Sequence, residues 1–474
     1  MGRSRSLLAC LVERARVRPD SVALVMGDER VTYAGLHAMA VAGAGRLAAL
    51  GLPAGRAVAV RAVKSPRTVA SIMACLLAGR PFLLPSAELG EHALEELLAR
   101  AGCAALLDDD ELRELGPHGD AGPGERGHED VSFMLTTSGS TGVPKIVPLP
   151  AAAVDRFTDW AIDRFGLGPG TAVLNYAPLS FDLCLLDVWA TLKAGGTVVA
   201  VDAARASDGR YLAGLIEAEN VAVVQSVPMM YRLLADACRD RPLRGVRHVL
   251  MTGDKVSARL LDELPALFPA ARLYNVYGCT ETNDSFLYEV TGGERSLPIG
   301  RPLPGVEALV VDEDGTVLDG PATGELLVRT PFQAAGYLGR EGGFGGGRFR
   351  SGDVVHRAED GVFTLVGRND FQVKVRGTRV NLAEVEHLLL AHEAAVDAAV
   401  VGVPDDLAGV RIHAVVRRTA PGALNSLALR DYCRARLPRA AIPTTIQVVD
   451  DPLPVTPTGK PDRQTILRNL RNRS

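Results

Sequence analysis

The sequence LTTSGSTGVPK at residues 135–145 is the stretch from which the fold can be worked out. Residues 136–145 contain five hydroxyl side chains, two glycines and one lysine, directly after an apolar run. Glycine lets the backbone aim N–H groups at an anion, hydroxyls donate further hydrogen bonds, and Lys145 adds a positive charge. No Gly-Lys-Ser/Thr follows at the spacing of an NTPase P-loop. The pattern therefore predicts a different loop for phosphate, although many Ser/Thr/Gly clusters are only solvated surface loops.

Apolar runs on both sides of this stretch alternate with helical patterns. The pattern predicts strands at residues 57–60, 82–84, 172–175, 197–201, 222–225, 248–251 and 273–276. Alternating strands and helices indicate mostly parallel sheets covered by helices. Such sheets bind ligands beyond the carboxyl ends of their strands, where several of the motifs below begin. Residues 109–130 are rich in acidic residues, Gly and Pro, and predict an exposed linker.

The alternation of strand and helix patterns ends at about residue 300. Short β-like segments at residues 308–311, 325–328 and 363–366 predict a β-rich segment, and a small α+β module follows. At 474 residues the chain exceeds the usual size of one domain. We therefore predict an α/β protein with a large N-terminal domain, residues 1–366, of helix-covered, mostly parallel sheets plus the β-rich segment. Residues 367–474 would form a small α+β C-terminal domain.

Composition excludes several classes of protein. Hydrophobic content of 47% and charged content of 23% are those of an ordinary globular protein. A net charge of −4 indicates neither a nucleic-acid partner nor an anionic membrane, and no apolar run reaches the length of a transmembrane helix. The seven scattered cysteines predict reduced thiols in a cytoplasmic protein. Lysines are rare among the 52 basic residues, so each one suggests a need for a compact ammonium group.

Four further motifs carry chemistry. The sequence NVYGCTETN at 275–283 follows a predicted strand and offers an aromatic ring for a base and a carboxylate for a metal ion. The sequence FRSGD at 349–353 offers a carboxylate in a tight turn, which suits the hydroxyls of a ribose. The other two motifs are GRND at 367–370 and PVTPTGK at 454–460. Taken singly, each could also be an ordinary turn or a solvated tail.

Together with LAGRPFLLP at 77–85 and GEL at 324–326, these motifs resemble the signatures of the adenylate-forming superfamily. That superfamily contains acyl- and aryl-CoA ligases, luciferases and the adenylation domains of nonribosomal peptide synthetases. The resemblance covers about residues 20–465. It implies an enzyme that joins a carboxylate to AMP and releases pyrophosphate, with ATP and Mg²⁺ as cofactors.

The resemblance also implies a role for each motif residue. Glu281 would bind Mg²⁺, and Lys460 would contact the substrate carboxylate and the α-phosphate. The residues implied in catalysis are Lys460, Glu281 and Thr280. The residues implied in ATP binding are Thr137, Ser138, Gly139, Ser140, Thr141, Gly142 and Lys145 at the phosphates, Asn275 and Tyr277 at adenine, and Asp353 and Arg368 at the ribose. Asp370 would be the hinge between the two domains.

The motif SFDLC at 180–184 bears on the acid that is activated. Resemblance to amino-acid-activating domains makes Asp182 the partner of the substrate amino group, a strong charge-assisted contact. The same resemblance implies a pocket lined by Leu183, Leu186, Met229, Leu250, Thr252, Val276, Asp284 and Ser285. A mostly apolar, rather full pocket favours a compact amino acid. Asp284 is discordant, since a buried carboxylate needs a partner: either the substrate presents a second polar or cationic group, or Asp284 points away.

The pattern is most similar to stand-alone ligases that load proline, or small and β-amino acids, onto carrier proteins. No carrier domain follows Lys460 in this sequence, so we expect the phosphopantetheine thiol of a carrier protein in trans to accept the aminoacyl group. We expect no nucleic acid or membrane partner, and a monomer or dimer. One alternative is an acyl- or aryl-CoA ligase acting on an acid without an amino group, in which Asp182 is only structural. Another is a catalytically silent homologue that binds a nucleotide.

Overall fold

A computed structural model describes residues 5–109, 111–116, 130–137, 144–239, 241–294, 297–339, 342–368, 372–405, 408–454 and 463–471. The chain divides into two compact units. The larger unit comprises Met1–Ala87, Leu97–Thr136 and Ile146–Asn369, and the smaller comprises Glu88–Glu96, Thr137–Lys145 and Asp370–Ser474. The domain boundary that the sequence places between residues 366 and 367 stays a prediction.

As far as β13 the chain alternates between strands and helices, and the regular elements of the described residues from there to residue 368 are strands. The strands are β1 (Val22–Met26), β2 (Glu29–Thr32), β3 (Ala57–Val60), β4 (Phe82–Leu83), β5 (Cys103–Asp108), β6 (Glu111–Glu114), β7 (Val131–Thr137), β8 (Lys145–Pro150), β9 (Ala172–Asn175), β10 (Thr197–Ala200), β11 (Val221–Ser226), β12 (His248–Thr252), β13 (Arg272–Cys279), β14 (Asn283–Glu289), β15 (Arg301–Pro302), β16 (Glu307–Val311), β17 (Val317–Leu318), β18 (Ala322–Arg329), β19 (Phe344–Gly345), β20 (Arg348–Arg357) and β21 (Phe363–Arg368). The α-helices are α1 (Leu7–Val17), α2 (Tyr33–Ala49), α3 (Pro66–Leu77), α4 (Glu91–Arg100), α5 (Ala151–Phe165), α6 (Thr191–Ala194), α7 (Gly209–Ala218), α8 (Pro228–Ala237) and α9 (Ala258–Leu267). A π-helix, Leu185–Ala190, directly precedes α6.

Three sheets organise these strands. A nine-stranded sheet has the order β15-β14-β13-β12-β11-β9-β10-β1-β2, parallel from β13 to β1 and antiparallel at both edges. A six-stranded sheet has the order β6-β5-β3-β4-β7-β8, with parallel pairing from β5 to β7. The third sheet, β17-β16-β18-β20-β19 with β21 beside β20, is antiparallel and contains the β-rich segment. The predicted α/β class, with mostly parallel sheets, is confirmed.

Successive side chains along each strand of the nine-stranded sheet point to opposite faces of the sheet. On one face Val173, Val223 and Leu250 pack in the same apolar cluster as the π-helix. On the opposite face Leu174 and Val224 pack in a second cluster. Because successive side chains of a strand point to opposite faces, Asn175 and Gln225 share the face of the π-helix. The β9–π-helix connection therefore runs beside a polar patch on an otherwise apolar face.

The prediction of an exposed linker at residues 109–130 is wrong for the first residues of that range. Residues 111–114 form β6, which pairs antiparallel with β5. Asp109 has a φ of 53°, a left-handed conformation that Asp tolerates better than most residues, and it allows the chain to reverse there. The run of acidic residues hid this hairpin because Asp and Glu are depleted in strands. Residues 117–129 lie outside the described residues.

The smaller unit contains an α+β arrangement, as predicted. Its strands are β22 (Gln372–Val375), β23 (Thr378–Asn381), β24 (Ala395–Asp405), β25 (Gly409–Arg418) and β26 (Thr445–Val449), and its further helices are α10 (Leu382–Leu390), α11 (Ser426–Arg434) and α12 (Arg463–Arg471). β24, β25 and β26 form a sheet, and β22 and β23 form a hairpin. Arg463 Nη2 donates to both carboxylate oxygens of Glu386, at 2.6 and 2.7 Å, which joins the start of α12 to α10.

Two further properties concern the protein's surroundings. Among the helices of the described residues, none combines the length and the apolar character needed to cross a bilayer. All seven cysteines lie within the described residues, and all seven are free thiols.

Candidate active site

The hairpin of β13 and β14 places Glu281 in its turn. The register of the pair shifts between Tyr277 and Gly278, and a Cβ at position 278 would lie 2.2 Å from the Asn283 carbonyl oxygen. Only glycine therefore fits at this close approach. Glu281 is 2% exposed, and the hydroxyl of Tyr337 donates to its Oε1 at 2.6 Å. The backbone of this residue is fixed as well, because the Ala334 N–H donates to the Glu281 carbonyl at 2.9 Å.

The donor set around Glu281 fits the predicted metal ion. Mg²⁺ prefers hard oxygen ligands and is usually bound through one or two carboxylates together with the phosphates of the substrate. Glu281 supplies one buried carboxylate, and the hydrogen bond from Tyr337 fixes the orientation of that carboxylate. Thr280, beside it in the turn, is half-buried.

The structure brings together two of the residues predicted to bind adenine and ribose, Tyr277 and Asp353. The Tyr277 hydroxyl donates to Asp353 Oδ2, and the Tyr277 ring packs edge-on against Phe286 with ring centroids 5.6 Å apart. Asp353 is 7% exposed, and its N–H donates to Ser351 Oγ at 3.0 Å. Asn275, on the same strand as Tyr277, donates from Nδ2 to the Pro298 carbonyl at 2.7 Å. One aromatic ring and one carboxylate are thus in direct contact.

The prediction that Asp353 lies in a tight turn is wrong. Asp353 lies within β20, and its Cα is paired with that of Arg368 on β21. Gly352 has a φ of 72°, and the registers of β20 with both neighbouring strands shift near this point. The glycine signal that indicated a turn marks an irregularity in a long strand. The side chain of Arg368 lies outside the described part of the structure.

The predicted side-chain pocket is partly assembled by one apolar cluster. Leu186 on the π-helix, Leu250 on β12 and Val276 on β13 are buried in it, with Leu183 packed against it. Thr252 follows Leu250 by two residues on β12 and is buried. Met229 lies on α8 and is half-buried. Ser285, on β14, is buried with its hydroxyl 3.0 Å from the Asn283 carbonyl oxygen.

Two of the predicted substrate-binding residues are carboxylates within electrostatic range of each other. Burial, together with the Asp182 carboxylate, raises the pKa of Asp284 to about 7. Burial also raises the pKa of Asp187, on the π-helix, well above its usual range, and Asp284 adds to this effect. Among the described residues Asp284 has no hydrogen-bond partner. A cation from a ligand would stabilise this group of carboxylates.

The predicted phosphate-binding loop is described only at its ends. Thr137 is the last residue of β7, and Lys145 is the first of β8. The Thr137 hydroxyl is buried and has no hydrogen-bond partner among the described residues, so it has an unused donor and acceptor. Ser138, Gly139, Ser140, Thr141 and Gly142 lie outside the described residues, as do Asp370 and Lys460.

Sequence reasoning did not assign a role to Tyr337 or to Lys64. Tyr337 contacts Glu281 although 56 residues separate them, so no local spacing could have indicated the pair. Lys64 binds two backbone carbonyls next to the loop that carries Asp182. The rarity of lysine was the available signal for Lys64, since it singles out each lysine of the chain.

Comparison with known families accounts for most of the chain. The family described as AMP-binding enzyme matches residues 11–338. The family described as AMP-binding enzyme C-terminal domain matches residues 384–460. The two matches include the motifs at residues 135–145, 180–184, 275–283 and 454–460, whereas the motifs at 349–353 and 367–370 lie between them.

Three known proteins illustrate the similarity. Phosphinothricin tripeptide synthetase PhsB of Streptomyces viridochromogenes is 33% identical over 507 residues, covering 97% of this chain, which spans 42% of that relative's length. L-proline–[L-prolyl-carrier protein] ligase of Pseudomonas fluorescens is 34% identical over 348 residues, covering 72% of this chain and 69% of the relative. The solved structure of amide bond synthetase McbA from Marinactinospora thermotolerans has a TM-score of 0.86 at 26% identity, covering 98% of this chain and 99% of the other.

Proposed function

Since the chain belongs to the AMP-binding enzyme family, a family of adenylate-forming enzymes, we propose that it activates a small amino acid with ATP. The carboxylate of the amino acid attacks the α-phosphate, which gives aminoacyl-AMP and releases pyrophosphate. The aminoacyl group then passes from AMP to the phosphopantetheine thiol of a carrier protein, forming a thioester. The amino acid–carrier protein ligase among the relatives supports this second step.

The observation that carries the proposal is that Asp182 lies within electrostatic range of Asp284 and, together with burial, raises the pKa of that carboxyl. An acid with a positive charge would reduce the repulsion between these carboxyl groups, whereas an acid without one would make no such favourable contact. A substrate ammonium at Asp182 compensates one of them through a charge-assisted hydrogen bond. The proton that Asp284 retains up to about pH 7 neutralises the other.

The nucleotide is placed at the other part of the site. Tyr277 would stack on adenine, Asp353 would accept hydrogen bonds from the ribose, and Glu281 would hold Mg²⁺. Mg²⁺ supplies charge neutralisation at the phosphates when it is bound. The buried position of Glu281 and its hydrogen bond from Tyr337 support this assignment.

Exchange of radiolabelled pyrophosphate into ATP tests the first half-reaction. The panel consists of proline, glycine, alanine, β-alanine and a diamino acid, each beside its analogue without the amino group. We expect exchange to be much faster with acids that carry an amino group than with their analogues. Exchange with the plain acids alone would replace the proposal by an acyl- or aryl-CoA ligase, and no exchange with any acid would favour a catalytically silent nucleotide-binding protein.

The acceptor is tested separately with the acid that supports exchange. Thioester formation is measured with a carrier protein bearing phosphopantetheine and with coenzyme A. We expect transfer to the carrier protein, and transfer to coenzyme A alone would contradict this part of the proposal.

Two residues of the C-terminal motifs extend the proposal. Lys460 stabilises the charge that develops during adenylation, so Lys460→Ala lowers the exchange rate by about 10²–10³ and more than Lys145→Ala does. Asp370 is the hinge of a rotation between the half-reactions, so Asp370→Pro leaves exchange largely intact and suppresses thioester formation. Equal losses in both half-reactions of Asp370→Pro would reject the hinge.

A further inference from the structure

Lys64 connects the nine-stranded sheet to the six-stranded sheet that contains β3, at the carboxyl ends of their strands. It lies just after β3 and before α3, and its ammonium donates to the carbonyls of Asn175 at 3.1 Å and Tyr176 at 2.8 Å. These acceptors belong to the end of β9 and to the residue that follows it. Both bonds are made to the backbone, so they determine the path of the chain as it leaves the strand.

Neighbouring side chains bind the next carbonyls of the same connection. These hydrogen bonds are Asn175 Nδ2 to the Ala177 carbonyl at 3.2 Å, Cys184 Sγ to the Pro178 carbonyl at 3.1 Å, and Gln225 Nε2 to the Leu183 carbonyl at 3.3 Å. Asn175 and Gln225 are each 1% exposed and are paired in register on adjacent strands. The connection is therefore bound at both of its ends by buried donors, and Asp182 lies between them.

Lys64 is the positively charged member of this group of donors, and its surroundings change its pKa. Burial lowers the pKa of Lys64 to about 8, while Cys184 and Asp187 oppose that change. A hydrogen bond from a charged donor is stronger than one from a neutral donor, so Lys64 holds the chain more firmly than an amide or thiol does. Replacement of its ammonium removes two bonds at the point where the connection begins.

We propose that Lys64 is a positioning residue for amino-group recognition, because it fixes the connection that carries Asp182. The carboxylate of Asp182 then meets the substrate ammonium without a prior rearrangement of the backbone. This inference rests on the proposed function, since an acid without an amino group makes no such contact. Lys64 itself does not touch the substrate.

The test compares Lys64→Met with the wild-type protein in the pyrophosphate exchange reaction. Methionine keeps much of the length and apolar stem of lysine and removes its donors. The measured quantity is the ratio of kcat/KM for an amino acid to kcat/KM for its analogue without the amino group. We expect this ratio to fall about tenfold, the order expected when a hydrogen bond to a charged group is lost, while KM for ATP stays unchanged.

Lys193→Met is the matched control. Lys193 is 2% exposed and donates to the Asp155 carbonyl and to Thr158 Oγ1, both at 3.0 Å, so its replacement also removes buried hydrogen bonds. We expect Lys193→Met to lower the melting temperature without lowering the ratio. Lys64→Arg, which keeps a cation, restores part of the ratio. If Lys64→Met does not fold, Lys64→Gln supplies the same comparison.

The possible results separate the inference from the proposed function. A wild-type protein with no preference for the amino acid over its analogue would overturn both. A wild-type preference that Lys64→Met and Lys64→Gln retain in full would overturn the role of Lys64 alone. An equal fall of the ratio in Lys193→Met, or an equal rise of KM for ATP in Lys64→Met, would show a merely structural effect and would also overturn it.

Discussion

Carboxylates in two regions of the larger unit have different neighbours. In the nucleotide region, defined by Tyr277, Glu281, Tyr337 and Asp353, each carboxylate accepts a hydrogen bond from a tyrosine hydroxyl. In the amino-acid region, defined by Asp182, Asp187 and Asp284, carboxylates lie in electrostatic range of one another. The first region stabilises its charges with neutral donors of the protein, whereas the second raises the pKa values of Asp187 and Asp284.

Because of this difference, we expect the two regions to respond differently to their ligands. The nucleotide region is preorganised, because tyrosine hydroxyls fix its carboxylates before any ligand binds. In the amino-acid region a cation from the substrate would reduce the repulsion between carboxylates.

Glu281→Gln tests the nucleotide region at its centre. Loss of the proposed Mg²⁺ ligand is expected to lower the exchange rate by about 10²–10³, as removal of one preorganised electrostatic group does. The measurement is exchange at increasing Mg²⁺ concentration. Glu289→Gln, at the exposed end of β14, is the control and should exchange like wild type. Wild-type exchange by Glu281→Gln would remove Glu281 from the metal site.

Asp182→Asn tests the amino-acid region. Loss of a charge-assisted hydrogen bond is expected to lower kcat/KM for the amino acid by about 10–100-fold, because the amide keeps the shape and loses the charge. KM for ATP is expected to stay within about twofold of wild type, since the nucleotide region is untouched. Steady-state exchange at varied amino acid and varied ATP gives both values. A rise in KM for ATP as large as the fall for the amino acid would break the separation of the two regions.

Tyr337→Phe tests the role of a neutral donor. The variant keeps the ring, which packs edge-on against Phe344 at 5.8 Å, and loses the 2.6 Å hydrogen bond to Glu281. We expect about tenfold more Mg²⁺ to be needed for half-maximal exchange, the order of one hydrogen bond to a charged group. Tyr288→Phe removes a similar bond, to Glu294 at 3.0 Å, and serves as the control. An unchanged Mg²⁺ requirement in Tyr337→Phe would show that Glu281 is positioned by other contacts.

Asp284→Asn tests the raised pKa and is expected to have the smallest effect. Asp284 stays protonated in the folded protein up to about pH 7, whereas in the unfolded chain it ionises near its ordinary value of 3.8. Between these values the folded state binds more protons, so this group makes the protein less stable as pH rises from about 4 to about 7. The melting temperature of the variant should therefore fall less with rising pH than that of the wild type.

Melting curves at pH 5 and pH 8 measure this difference. Asp262→Asn, at an exposed position of α9, is the control and should follow the wild-type profile. Asp284 also contributes to the raised pKa of Asp187, so its replacement reduces the Asp187 contribution and flattens the profile in the same direction. An identical pH dependence in wild type and Asp284→Asn would show that Asp284 ionises normally.

The sequence predicted those features that depend on local pattern. The strands at 172–175 and 248–251 are apolar runs bounded by turns, so periodicity places them almost to the residue. The parallel sheets and the β-rich segment follow from the same pattern. The sequence did not predict β6 because acidic residues have low strand propensity. Its pairing with β5 stabilises the strand, and local propensity gives no information about that pairing.

The residues of the candidate site likewise divide into those that local motifs predicted and those that only the folded structure brings together. Glu281, Tyr277 and Asp353 were identified because they lie in recognisable motifs, and two of them are hydrogen-bonded to each other. Tyr337 and Lys64 act across 56 and 111 residues of chain, so only the folded structure brings them to their partners. The rise in the pKa of Asp284 likewise depends on burial and on Asp182, which no spacing of residues specifies.

The close approach at Gly278 has a consequence for engineering the substrate preference of this protein. One hairpin carries Glu281 in its turn and Asp284 and Ser285 on its second strand, so redesign at positions 284 and 285 also perturbs the turn that holds Glu281. Leu186 and Met229 lie on separate helical elements. Libraries directed at positions 186 and 229 should therefore yield more variants that still use ATP than libraries directed at β14.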